Sequence, residues 1–512
     1  MNDTLEKAEM SYSSEVKKQV KINKVPFLHK FYMLIFSGVL SLLSVAMPFF
    51  TDFANSLQSQ NLYIGMMMSK GQMPYSDVFA SGGFLYYALI ALSYLMGSTI
   101  WLVILEFVTF YLSGIYFYKI IYHLTKNRDV VAFFNLVFYA LNLILGFGGL
   151  YPIQWAMPFV LIALWFLMKY FRGIVNDEAF ILYGFVGSIA LLLDPQTFLF
   201  WLVSFLAIAV YNVKQKHMAR GFYQLLCIVL GTILVLYIAG YFMFNLQLIS
   251  PYIKEALIYP LTHFAAGKDA FWYTSPLQAF ILFSSGLVWG FIHFMRKGRK
   301  ESTDIVILWL IAVVWLVYAV RILLVQDCQL YYGLTILPSG LAFTAIYVAD
   351  LYQSSLTKDK TSHRRHRKVG SSRVGEIFMG RHAVVSWAVL VYALFLLSAN
   401  VTSTLAHNGE RSTIATYLKN NAGDSLVYVW DRSAKIYLDG KLKTGSQFVL
   451  PIAAANATDQ KILEDELLQH DAKYIAVNSK LSISSTLKKD LSKNYKQVSI
   501  SGTKDFKVYK LK

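Results

Sequence analysis

The chain has 512 residues, of which 56% are hydrophobic and only 15% are charged, with a formal net charge of +17. Soluble globular proteins carry about 25% charged residues, so this composition excludes an ordinary soluble domain. The positive charge does not indicate nucleic-acid binding, because Lys and Arg lie in short clusters between apolar runs, as in the cytoplasmic loops of membrane proteins. The two cysteines, Cys227 and Cys328, provide neither a disulfide framework nor a zinc site. We predict a multi-pass plasma-membrane protein whose partners include membrane lipids and no nucleic acid.

The N-terminal leader, residues 1–30, is polar and rich in lysine close to the first apolar run. Its length and the lack of a small-residue cleavage site differ from a cleavable signal peptide. The lysines place the leader in the cytoplasm, so that the first span, predicted at about 31–50, delivers Thr51 to the outer face.

Ten further apolar runs predict spans within a transmembrane domain that covers residues 31–401. They lie at about 99–118, 129–147, 152–170, 177–193, 196–213, 222–246, 277–296, 304–325, 329–350 and 383–401. The stretch Phe84–Met96 is short for a span and indicates an interfacial or re-entrant helix. The alternative treats it as a twelfth crossing, which would place the basic loop 119–128 outside. We therefore expect a polytopic α-helical protein with about 11–12 transmembrane helices.

Two loops and the tail are predicted on the outer face. The loops are 51–83, called the first loop below, and 247–276, called the second loop. The basic linker 351–382 is expected in the cytoplasm. The tail, residues 402–512, alternates helix and strand signals and predicts a small α/β domain. Eleven crossings place this domain outside, together with both loops.

The first loop has the strongest signal for chemistry. Asp52 follows the first span directly, and a carboxylate near low-dielectric surroundings can have a raised pKa, which suits a general base. The structural alternative is an Asp that ends a helix and faces water. Asp77 follows Pro74-Tyr75, where Asp is also a common turn residue.

These residues resemble the GT-C glycosyltransferases, the superfamily of the protein mannosyltransferases and the lipid A aminoarabinose transferases. The resemblance rests on an acidic residue after the first span, a Gly-x-x-Pro-Tyr-x-Asp segment some 20 residues later, and an Arg followed by an aromatic pair and a Pro-containing span. The matching residues are Asp52, Gly71, Pro74, Tyr75, Asp77, Phe79, Arg321, Tyr331, Tyr332 and Pro338. Tyr331 stands where a His is frequent in bacterial relatives.

The resemblance implies transfer of a sugar, with inversion, from a polyprenyl phosphate to an envelope glycan, lipid or protein. It implies that Asp52 deprotonates the acceptor hydroxyl, and that Asp77 positions the acceptor, holds the loop or assists a metal. It leaves open whether a divalent cation, Mg²⁺ or Mn²⁺, is needed. Tyr75, Tyr331 and Tyr332 are the expected substrate-binding aromatics.

Cations on the outer face are expected to bind the donor phosphate. Arg321 is the strongest candidate because its guanidinium can bond two phosphate oxygens. Further candidates are Lys254, His263 and Lys268 in the second loop, with snorkelling to headgroups as the alternative. Asp194, at a turn between two spans, is either a substrate ligand or an N-cap. Glu106, inside a span, is expected to face the interior and pair with a basic group.

Two other functions are compatible with the same pattern. A transporter or flippase of a lipid-linked substrate would show internal repeats and broken helices, and the sequence gives no sign of them. A non-catalytic membrane scaffold could carry the same outer domain.

Overall fold

The computed structural model describes residues 24–263, 270–297, 304–361, 370, 372–380 and 405–512, with isolated positions between 391 and 402. Among these residues six helices are long and apolar enough to cross a membrane, and a bent pair would make seven. The six are Ile100–Thr125, Arg128–Leu145, Pro152–Tyr170, Phe198–Lys214 with its preceding turn Pro195–Thr197, Met218–Asn245 and Ile305–Leu324. The chain is thus a multi-pass helical membrane protein, as predicted. The number of eleven crossings stays a prediction, because most of 383–401 lies outside the described residues.

Further helices complete the membrane domain. They are Phe27–Leu42, Phe84–Leu95, Phe180–Leu193 and Leu337–Thr361. Phe180–Leu193 packs closely against Met218–Asn245, since a Cβ on Gly184 or Gly231 would lie about 2 Å from a backbone oxygen of the other helix.

Several membrane helices differ from their predicted bounds. The predicted span 329–350 is a 3-10 segment, Leu330–Thr335, followed by the helix Leu337–Thr361, which continues past 350 into the predicted linker 351–382. The first helix ends at Leu42 rather than near 50, because Ser44 and Val45 bond the carbonyl of Gly148 instead of continuing the helix. The predicted span 277–296 is two helices, Phe271–Ser284 and Trp289–Lys297, bent by 80°. Gly286 lies at the bend with φ +75°, a left-handed conformation that ends the first helix.

The C-terminal tail forms a four-stranded mixed sheet with helices. The strands are β1 (Val427–Trp430), β2 (Tyr474–Asn478), β3 (Tyr495–Val498) and β4 (Phe506–Leu511), in the order β1-β2-β4-β3. β1 and β2 are parallel, while β4 is antiparallel to β2 and β3. The domain helices are Asn408–Ala422, Lys435–Gly440, Ala457–Leu468 and Ser485–Asn494. This confirms the predicted α/β domain.

The first loop contains a 13-residue helix, Ser56–Met68, which we call the first-loop helix. A capping box between Asn55 and Gln58 starts it. Gln58 also donates to the carbonyls of Phe147 and Gly149 in the membrane domain. On the other side Tyr63 donates to the carbonyl of Leu442 in the α/β domain. The first-loop helix is therefore buried between the two domains, including the polar side chains of its first half.

The second loop closes the same face. It consists of Ile249–Tyr252, the π-helix Ile253–Ile258 and Tyr259–Thr262. Tyr259 donates a hydrogen bond to Asp459 of the α/β domain, and its ring packs on Phe79 of the first loop. Both loops and the α/β domain thus meet on one side of the bundle, which we call the loop face.

Candidate active site on the loop face

The Pro74–Asp77 segment is a hydrogen-bonded turn. The Asp77 carboxylate accepts from the backbone N–H of Met73 at 2.7 Å, and Tyr75, at φ 69°, donates its N–H to Val78. The Tyr75 side chain is buried, with its hydroxyl on the carbonyl of Gly82. Asp77 is exposed. These contacts give Asp77 a loop-holding role and use Tyr75 to anchor the turn.

Asp52 lies at the seam between the membrane domain and the α/β domain. Its Oδ1 accepts from the ammonium of Lys435, which also lies 2.9 Å from Asp439 Oδ2. Asn408 of the α/β domain donates to the Asp52 carbonyl at 3.0 Å. Burial alone would lower the pKa of Lys435, but the bonds to the two carboxylates raise it above its usual value. Lys435 is therefore a firmly charged partner of a carboxylate that is itself 49% exposed.

A chain of aromatic side chains leads away from Asp52 across the loop face. Asn55, three residues later, donates to the Tyr151 hydroxyl at 2.7 Å, and the Tyr151 ring stacks on Tyr331 at 5.0 Å. Tyr331 packs on Tyr332, whose hydroxyl donates to Asp327 at 3.3 Å. The structure thus brings the predicted aromatic pair next to the first loop.

Arg321 borders a small cleft at the end of its span. The cleft is lined by the turn Pro195–Gln196, the helix start Phe198–Leu199, and Ala256, Leu257, Pro260 and Leu261 of the second loop. The guanidinium has no hydrogen bond or ion pair with the residues that the structure describes, and it lies within electrostatic range of the buried Asp194. Asp194 accepts from the N–H of Gln196 at 3.0 Å, so it also caps the next helical turn. A half-buried cation bordering a cleft is a suitable site for an anionic group.

Glu255 is an acidic residue of the loop face that the sequence analysis missed. It lies on the π-helix, directly before two residues of the Arg321 cleft, and accepts from the N–H of Ala80 at 2.9 Å. Burial raises the pKa of Glu255 to about 8, with a further contribution from the negative charge of Asp459. The available signal was a single acidic residue, next to Lys254, in the otherwise uncharged stretch between Pro251 and Pro260.

The remaining candidates fall into three groups. His263 is exposed, stacks on Tyr259 at 4.4 Å and bonds Thr262, while Lys254 is also exposed. Lys268 lies outside the described residues. Glu106 faces the interior as expected, but within the described part of the chain its partners are the N–H of Leu150 and the indole of Trp155, and no basic group. The described residues contain no cluster of three His, Cys, Asp or Glu that could hold a metal ion.

The fold has a counterpart among solved structures. ArnT from Cupriavidus metallidurans bound to undecaprenyl phosphate aligns with a TM-score of 0.50 and 12% identity, over 94% of this chain and 97% of ArnT. The apo form of ArnT aligns over the same shares with a TM-score of 0.48 and 11% identity. ArnT is a lipid A aminoarabinose transferase of the GT-C superfamily. The first of these alignments confirms the predicted GT-C-like fold.

Two sequence-family models match the chain, and the boundary between them lies between the membrane domain and the α/β domain. The family model of the competence-induced Ccs4 N-terminal domain matches residues 17–405, and that of the Ccs4 C-terminal domain matches residues 408–512. No curated protein matches significantly. Since the first family model alone covers most of the sequence, the chain belongs to the Ccs4 family of competence-induced proteins.

Proposed function

We propose that the chain is a membrane glycosyltransferase that moves a sugar from a polyprenyl-phosphate-linked donor to a cell-envelope acceptor on the extracytoplasmic side. The observation that carries this proposal is Arg321, a cation without a carboxylate partner among the described residues, beside a cleft at the end of its apolar span. The phosphate of a lipid whose tail stays in the bilayer would lie at the membrane surface, where this span ends. The shared fold with ArnT bound to undecaprenyl phosphate supports the same ligand class.

The chemistry assigned to the site needs one base and one cation. The acceptor hydroxyl oxygen attacks the anomeric carbon from the face opposite the phosphate, and its proton passes to the Asp52 carboxylate. The bond between the anomeric carbon and the phosphate oxygen breaks, and the polyprenyl phosphate leaves with the electron pair. Phosphate is a good leaving group, so the base has the larger task, worth about 10²–10⁴-fold in rate. Arg321 would stabilise the charge on the departing phosphate.

The Asp52–Lys435 pair is compatible with this role. Lys435 bonds Oδ1, and no donor in the described part of the chain bonds Oδ2, so one oxygen is open to an acceptor hydroxyl. We assign donor phosphate binding to Arg321, further substrate contacts to Tyr331 and Tyr332, and loop positioning to Tyr75, Asp77 and Asp194.

The bent helix pair bears on the alternative that the chain is a transporter. The bend of 80° between Phe271–Ser284 and Trp289–Lys297 is the kind of broken helix that transporters use at their substrate sites. In this chain the bend is close-packed, because Leu287 is buried and its carbonyl accepts from the indole of Trp315. A packed bend gives no binding site, so we place the transferase first.

The test compares envelope glycans from cells that carry the wild-type chain, no chain, or Asp52→Asn. The control is Asp424→Asn, which makes the same change at an exposed carboxylate of the α/β domain. We expect one sugar substituent to be lost without the chain and in Asp52→Asn, and to be retained in Asp424→Asn. A glycan profile that is unchanged without the chain would overturn the proposed function. Retention of the substituent in Asp52→Asn would overturn only the assignment of the base.

A further inference from the structure

Three lysines converge at the far end of the first-loop helix. Lys70 follows this helix, while Lys441 and Lys443 follow the helix Lys435–Gly440 of the α/β domain. The Lys70 ammonium donates to the carbonyl of Lys441 at 3.1 Å, which ties the two segments together across 371 positions of sequence. We call Lys70, Lys441 and Lys443 the lysine patch. Its members come from two domains, so the patch exists only when those domains are docked.

The backbone around the patch is held rigidly. Leu442 is buried between the two lysines, and its carbonyl accepts from the hydroxyl of Tyr63. The N–H of Thr444 donates to the same hydroxyl at 2.9 Å. Lys441, with φ 53°, ends the helix in the left-handed conformation. These contacts turn Lys441 and Lys443 outward, where both are exposed together with Lys70.

No carboxylate neutralises the patch within the described residues. The acidic residue nearest in sequence to Lys441 and Lys443, Asp439, is engaged by Lys435 and by the hydroxyl of Ser412. Burial lowers the pKa of Lys70, and the like charges of Lys441 and Lys443 lower it further. Holding like charges together costs free energy, and an anion bound between them would remove that cost.

The patch and Asp52 lie at opposite ends of the same helix. Asp52 precedes the first-loop helix and Lys70 follows it, so its 13 residues separate the two sites by about 20 Å. The seam between this helix and the α/β domain connects them, with Lys435 at one end and the lysine patch at the other. A ligand that occupies both sites must therefore be an extended chain.

We propose that the lysine patch binds phosphate groups of an anionic envelope polymer, and that this polymer is the acceptor whose end reaches Asp52. The acceptor role rests on the proposed function, whereas the binding site does not. We choose a polymer over lipid headgroups because a bilayer-seated surface carries apolar and aromatic anchors. Within residues 408–512 the large hydrophobic side chains that are exposed are Ile452 and Ile462, neither of them in the patch.

The first test measures binding of fluorescently labelled inorganic polyphosphate to the full chain in phosphatidylcholine nanodiscs. The patch variant is Lys70→Gln with Lys441→Gln and Lys443→Gln. The control variant is Lys488→Gln with Lys489→Gln and Lys496→Gln, which removes three exposed charges elsewhere on the α/β domain. We expect the patch variant to bind polyphosphate at least about tenfold more weakly and the control variant to change less than about twofold. The slope of log K against log salt concentration should fall by about two to three in the patch variant, because fewer counterions are released.

Other results of this binding experiment would overturn the proposed site. Equal weakening in both variants, or no binding by the wild type, overturns the site. In another result, the patch affects only how much phosphatidylglycerol nanodiscs stabilise the protein, with no difference in polyphosphate binding between wild type and patch variant. That result assigns the patch to lipid headgroups and also overturns the proposal. In a transfer assay we expect the patch variant to raise KM for the polymer at unchanged kcat. If the patch binds polyphosphate and the wild type transfers no sugar, the proposed function and the acceptor role fail while the binding site stands.

Discussion

Lys435 of the α/β domain donates to Oδ1 of Asp52, so the carboxylate proposed as the base is shared between the two domains of the chain. Only 14% of the Lys435 side chain is exposed, and Asp439 holds its ammonium from the other side. The α/β domain therefore contributes a positioning residue to the proposed site, in addition to covering the first-loop helix.

Replacing Lys435 by Met should lower transfer more than it lowers stability. The change removes one charge-assisted hydrogen bond to Asp52, worth about 1.5–3 kcal/mol, which corresponds to roughly 10–150-fold in rate if the bond aligns the base. Lys435→Arg keeps the charge and should restore part of the rate. The measurement is transfer by purified protein, with the thermal midpoint taken in parallel.

Asp439→Asn is the matched control for Lys435→Met, since it removes the other carboxylate on the same ammonium and leaves the bond to Asp52. We expect it to stay within about threefold of the wild type. Equal losses in Lys435→Met and Asp439→Asn would instead assign the pair to domain docking alone.

Arg321→Ala should weaken donor binding by about 1.5–3 kcal/mol, roughly 10–150-fold in Kd, because it removes a charge-assisted contact to phosphate. Arg321→Lys should recover part of the loss, since an ammonium cannot bond two oxygens in the geometry of a guanidinium. The measurement is the affinity of purified protein for a polyprenyl phosphate. Lys254→Ala removes an exposed charge from the second loop and should leave that affinity nearly unchanged. Equal effects of Arg321→Ala and Lys254→Ala would mean that the contact is general electrostatic attraction.

Asp77 can be tested for a structural role by comparing two substitutions. Asp77→Asn keeps an oxygen that accepts from the N–H of Met73, while Asp77→Ala leaves that N–H without its partner. If Asp77 holds the turn, the Asn variant should keep most of the transfer rate and the Ala variant should lose about 1–2 kcal/mol of stability. A catalytic carboxylate would give the opposite pattern, with the Asn variant as inactive as the Ala variant. Transfer rates and thermal midpoints of both variants decide between them.

Much of the fold could be predicted because its signals are local. The strand run Ser425–Trp430 is observed as Val427–Trp430, and six of the predicted apolar runs are observed as helices long enough to cross a membrane. The first-loop helix was missed because it is buried on all sides, so its polar first half and apolar second half show no amphipathic pattern. The capping box of Asn55 and Gln58 was the signal that could have revealed it.

The contacts that build the site could not be predicted, because they join distant parts of the chain. Asp52 and Lys435 are 383 positions apart, and Ala80 and Glu255 are 175 positions apart. A contact between residues so far apart produces no local pattern in a single sequence. Glu106 shows the same limit, because its partner is a backbone N–H of Leu150 rather than a charged side chain that a sequence would display.

Glu255 should make the loop face sensitive to pH. Burial raises its pKa to about 8, so the folded chain favours the protonated acid, whereas in the unfolded chain the carboxyl ionises near its ordinary pKa of 4.5. The folded state binds more protons between these two values, and stability should therefore be highest below about pH 4.5 and fall as pH rises toward 8. Glu255→Gln removes the titration, keeps an oxygen for the N–H of Ala80 and should flatten this part of the profile.

The Glu255 prediction is checked by thermal midpoints of the wild type and Glu255→Gln between pH 5 and 9, with the control Glu464→Gln on the α/β domain. Each kcal/mol lost should lower the midpoint by roughly 1 °C for a chain of 512 residues that unfolds as one unit. The wild type should approach or fall below Glu255→Gln only at the alkaline end, because there the half-buried carboxylate must carry a charge beside Asp459. Parallel profiles of wild type and Glu255→Gln across this range would mean that Glu255 is hydrated and ionised throughout. In that case its bond to Ala80 would act as a pH-independent clasp between the two loops.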